Sequence, residues 1–103
     1  MVIIKKLADM IEEELDDACH YIKCALKYQE ERPNLAKVFY ELSTEEMGHM
    51  NTLHNEVLKI IESYRREQGE PPEAMQVIYD YVHEKHIEKA NKVRMYQEQY
   101  KNY

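Results

Sequence analysis

Apolar side chains recur along this chain every three or four residues, and the pattern is broken only twice. The first stripe runs Ile4, Leu7, Ile11, Leu15, Ala18, Ile22, Ala25. The second runs Leu35, Phe39, Leu42, Leu53, Val57, Ile60, Ile61, Tyr64, and the third Met75, Ile78, Tyr79, Val82, Ala90, Val93, Tyr96, Tyr100. The breaks are Arg32-Pro33-Asn34 and Gln68-Gly69-Glu70-Pro71-Pro72. This punctuation predicts helices over about 3–31, 34–67 and 72–101. Gly69 suits the position just past a helix end, and Pro71-Pro72 suits the start of the next helix. Short turns make neighbouring helices antiparallel. Helices 1 and 2 are expected to form a hairpin, with helix 3 folding back along helix 2. Helix 3 carries a weaker second stripe, Val77, Tyr81 and Met95, which suits contact with a partner as well as with its own core.

The fold class is therefore all-α in a single domain spanning residues 1–103. A chain this short buries roughly 60–70% of its unfolded surface, so long helices leave little interior and favour pairing with a second copy. With 44% hydrophobic and 33% charged residues, two Gly and three Pro, the composition is that of a soluble, helix-rich protein. Fourteen basic against twenty acidic residues give a net charge of −6, which disfavours nucleic acid or an anionic membrane as partner and does not oppose cations. No apolar run approaches the ~18 residues of a membrane span. The opening Met1-Val2-Ile3-Ile4-Lys5-Lys6 has no signal-peptide core, so a cytoplasmic location is expected. Cys19 and Cys24 match neither a zinc nor a redox spacing and are expected to stay reduced.

Candidate chemistry enters with Glu46-Met47-Gly48-His49, an E-x-x-H step inside helix 2. Sixteen Glu and five His would give about 0.8 such pairs by chance, so position must carry the argument. Glu46 falls among Phe39, Leu42, Met50 and Leu53, with His49 on the same side. Glu14 falls inside the helix 1 stripe, between Ile11 and Ala18, while Glu12, Glu13, Asp16 and Asp17 fall on the sides or the solvent face. A carboxylate within an apolar stripe costs several kcal/mol unless paired or coordinated. Folding the hairpin about residues 31–32 sets Glu14 opposite residue 49 and roughly 4–5 Å from Glu46 along the axis, at about 1.5 Å per residue. Two carboxylates and an imidazole converging on one point suit iron, manganese or zinc. The other acid-x-x-His steps, Asp17/His20 and Asp80/His83, lean away from their stripes and are expected on the surface, and His54 on a flank. On helix 3, His86, Glu84 and Glu88 lie near enough in height to be further candidate ligands.

These residues resemble the ferritin-like superfamily, in particular its rubrerythrin-like branch. The resemblance rests on Glu14 followed by Ala18, Tyr21 and Ala25; on Leu35-Ala36-Lys37-Val38-Phe39; and on Leu42-Ser43-Thr44-Glu45-Glu46-Met47-Gly48-His49, and it covers about residues 7–60. It implies Glu14 as a terminal carboxylate ligand, Glu46 as a bridging one, His49 as the nitrogen ligand, and Tyr21 as the tyrosine that hydrogen-bonds a ligand.

The chain departs from the family in having no second E-x-x-H, no long crossover after helix 2, and only two cysteines where a rubredoxin module needs four. It is similar to half a bundle with an added helix, as in small encapsulated ferritins. Two copies face to face would supply four carboxylates and two imidazoles and complete a four-helix bundle. The expected function is a homodimeric or higher-order di-iron protein that oxidises Fe(II) or reduces peroxide, Glu14, Glu46 and His49 being its catalytic residues. The competing expectation is a metal-free helical scaffold that binds a protein through helix 3 or through Tyr96, Tyr100 and Tyr103.

Overall fold

A computed structural model describes residues 2–103, so of the opening segment only Met1 lies outside the described residues. Three helices account for nearly all of them: α1 (Val2–Tyr28), α2 (Pro33–Gln68) and α3 (Glu73–Lys101). The predicted helices are present, with α1 stopping three residues short of the expected end. Pro33 opens α2, where its missing N–H is no loss. Gly69 closes α2 with φ of +82°, a value that glycine alone adopts cheaply, and its N–H donates to Arg65 O at 3.1 Å. Pro72 precedes α3, and its carbonyl accepts from Met75 N–H at 3.0 Å.

The molecule is a rod of 56 × 19 × 18 Å. Its accessible surface, 7214 Å², exceeds the roughly 6,200 Å² of a compact protein of its mass. Ile11, Leu15, Ala18, Met47, Met50, Val57, Ala90 and Val93 form the core. Among the described residues no helix is long and apolar enough to cross a membrane.

Two features differ from the sequence expectation. First, α3 returns antiparallel to α2, yet its backbone lies closer to α1. Lys89 Nζ reaches Glu12 at 2.7 Å and Asp16 at 2.9 Å, and Gln29 donates to Tyr100 O at 2.8 Å. Secondly, the inward line of α2 is Ala36, Ser43, Met47, Met50 and Val57, not the bulkier Leu35, Phe39, Leu42 and Leu53, which lie on a flank and are half-buried or exposed. Small residues at the centre let α1 and α2 approach closely, and Ser43 Oγ donates to Ala18 O there at 2.8 Å. Gln97 of α3 donates to the same hydroxyl at 3.1 Å, so this buried polar group is satisfied and joins all three helices.

The hairpin thus has two unlike sides. One is roofed by α3. The other carries Met10, Glu14 and Tyr21 of α1 with Leu35, Val38, Leu42, Glu46 and His49 of α2, and no third helix covers it.

Candidate metal centre

Glu14, Glu46 and His49 converge on the uncovered side of the α1–α2 seam. Each offers one donor atom within 4.8 Å of the other two, and this is the one such group of three found among the described residues. His49 Nδ1 lies 3.5 Å from Glu14 Oε2 and 3.7 Å from Glu46 Oε2. The antiparallel register sets this height: Glu14 is one turn before Ala18, and Glu46 one turn after Ser43.

Burial is graded across the group. The Glu46 side chain is 19% exposed, Glu14 26% and His49 62%. Glu14 Oε2 is itself buried without a hydrogen-bond partner. The Glu46 carboxyl is held above its usual range, first by sharing a hydrogen bond with Glu14, then by burial and the Glu14 charge, with His49 opposing. Two carboxylates forced together with one buried oxygen unpartnered form an electronegative pocket suited to a cation. His49 sits at its mouth, more open than the inward-facing position expected, because residue 49 lies well off the buried line of α2.

Glu12 and Asp16 are two residues from Glu14, and thus about 200° round the helix, on the α3 side. None of the three α3 candidates joins the group. Glu84 and Glu88 are exposed, Glu88 lying 3.7 Å from Lys85. His86 is buried on the opposite, roofed side of the hairpin, beside Ile4, Ala8 and Ile11. Tyr21 is half-buried, its ring stacked on Phe39 at 6.3 Å.

Asp17, His20 and Asp80 are exposed, as their spacing predicted. His83 is not on the surface: it is half-buried, ring to ring with His54 at 5.1 Å. The stripe arithmetic missed this because α3 turns a wider face inward than its large apolar residues mark. At the tyrosine-rich end Tyr100 is half-buried, whereas Tyr103 stays exposed. Tyr100 stacks on Tyr40 at 4.7 Å, and Tyr103 donates to Glu30 at 2.6 Å. Val77, Tyr81 and Met95 on the outside of α3 are exposed.

Comparison with family models, curated proteins and solved structures finds no match.

Proposed function

We propose that this chain is a metal-binding helical hairpin protein whose Glu14, Glu46 and His49 hold a transition-metal ion, with iron the favoured ion. The observation that carries this reading is the convergence of the three donors around a buried, unpartnered carboxylate oxygen. A cation there would relieve the Glu14–Glu46 repulsion and accept that oxygen.

Three donors leave coordination positions open. The half-exposed group, the uncovered hairpin face and the excess surface of the rod all favour a second copy seated on this side. Two-fold pairing would join four carboxylates and two imidazoles in a four-helix bundle resembling the ferritin-like, rubrerythrin-like arrangement, with two irons per dimer. Manganese or zinc fits the same donor chemistry. Bound iron would supply the electrons for reduction of dioxygen or peroxide. The chain's own part is to fix the two carboxylates from adjacent helices and to keep His49 at the open side.

The test is native mass spectrometry after anaerobic Fe(II) loading. Two irons on a dimer and none on a monomer is the expected result. Iron on a monomer would overturn the shared site. Absence of iron, manganese and zinc from every species would leave the scaffold reading, which the exposed outer stripe of α3 favours: Val77, Tyr81 and Met95 have no task in the metal site.

A further inference from the structure

Three of the five histidines lie together outside the carboxylate group, in the seam between α3 and the hairpin. His83 and His86 are one turn apart on α3. The His83 ring is nearly parallel to that of His54 of α2, with 6° between planes, and Tyr79 continues the stack at 5.7 Å from His83. His86 is only 9% exposed, and its Nε2 is buried with no hydrogen-bond partner. A void of about 20 Å³ lies among these imidazoles and Ile4, Ala8, Ile11, Val57, Tyr79 and Val82.

We propose that His54, His83 and His86 form an acid-sensitive latch, and that their protonation lifts the first half of α3 off the hairpin. Neutral rings stack and tolerate apolar walls. Protonated rings would place like charges face to face and a cation at His86 with no acceptor. The charged groups around them give little relief. Glu12 of α1 faces His86 but is already held by Lys89 at 2.7 Å, and Lys89 itself repels a charged imidazole. Asp80 and Arg65 bear on Tyr79 in opposite senses, and Lys5, Asp9 and Arg65 line the wider groove beyond.

Burial, followed by the charge of His83, pushes His54 below its ordinary value. Burial also lowers His86, which Glu12 partly offsets and His83, Lys89 and His54 reinforce. Both groups therefore bind fewer protons folded than unfolded. Their stabilising contribution is complete above the ordinary imidazole pKa of about 6.5 and is lost as pH falls through the lower folded values.

The fold confines the response to one end. A groove of about 620 Å³, lined by Val2, Ile4, Leu58, Ile61, Met75 and Ile78, already separates the start of α3 from the hairpin. The other end of α3 is tied by Gln97 to Ser43, by Tyr100 to Tyr40, and by Gln29 to the Tyr100 carbonyl.

Amide hydrogen exchange of the full chain, with chelator present and rates corrected for intrinsic exchange, tests the latch between about pH 7.5 and 5.5. The expected result is that residues 75–90 lose protection by about tenfold per bound proton and pH unit, while α1 and residues 93–101 keep theirs. Uniform loss along all three helices, or none in 75–90, would overturn the proposal. The double variant His54→Gln, His86→Gln should flatten the response. Should that variant fold poorly, NMR titration of the wild-type imidazoles decides: His54 and His86 titrating at or above about 6.5 would also overturn it.

Discussion

The two sides of the α1–α2 hairpin both hold titratable groups in apolar surroundings, and they treat charge in opposite ways. On the uncovered side, Glu14 and Glu46 crowd two carboxylates together, so that Glu46 keeps its proton above the usual range. On the roofed side, burial keeps His54 and His86 unprotonated below theirs. One side concentrates negative charge and the other shuts out positive charge. Packing decides which: a seam with no third helix leaves room for an ion, whereas a seam closed by α3 leaves room only for neutral rings.

The strongest way to break this contrast is to remove a donor. Glu14→Ala, Glu46→Ala or His49→Ala should each weaken Fe(II) binding by on the order of 100-fold or more, beyond the effect of losing a supporting hydrogen bond. Anaerobic chelator competition measures it. The same assay on the wild type should show affinity falling as pH drops through the raised Glu46 pKa, by about tenfold per pH unit for each proton displaced.

Core packing separates the sides next. Val93 is fully buried under the roof, so Val93→Ala should cost roughly 2–3 kcal/mol in urea unfolding with or without metal. Leu42 is half-buried on the uncovered side. Leu42→Ala should cost about 1 kcal/mol or less in the dilute metal-free chain, and more once metal is loaded and copies pair.

Glu46→Gln probes the uncovered side without iron. A carboxyl whose folded pKa is raised contributes stability that is lost as pH rises through that value, so a neutral isostere should raise the metal-free midpoint at pH 7, corresponding to about 0.5–2 kcal/mol of unfolding free energy. A lower midpoint would mean that the carboxylates are not crowded. The smallest effect belongs to Lys89→Gln on the roofed side. Its ion pairs with Glu12 and Asp16 are exposed, and their loss should cost about 0–1 kcal/mol in the same unfolding assay. Freed Glu12 should then shield a protonated His86 and soften the acid response.

The helices were legible because Pro33, Gly69, Pro71 and Pro72 are strong punctuation and little else interrupts the pattern. The Glu14–Glu46–His49 convergence was legible too, since hairpin register and helical rise are nearly fixed numbers. What the pattern did not carry was which side α3 would cover. Large apolar residues dominate a periodicity reading, so it centred α2 on Leu35, Phe39 and Leu42. Close approach of two helices is decided instead by small residues such as Ala18, Ala36 and Ser43. That rotation opens His49 to solvent, and α3 holds His83 under the roof rather than on the surface, and His86 there rather than near the carboxylates.

The Ser43 hydroxyl has a consequence out of proportion to its size. It clasps the Ala18 carbonyl one turn from both Glu14 and Glu46, which makes it a dowel between two beams. Sliding one helix by a single residue would move the carboxylates about 1.5 Å apart in height and shear that dowel. The spacing of the donors is thereby gauged locally, by one bond, whatever bending the 56 Å rod undergoes towards its ends.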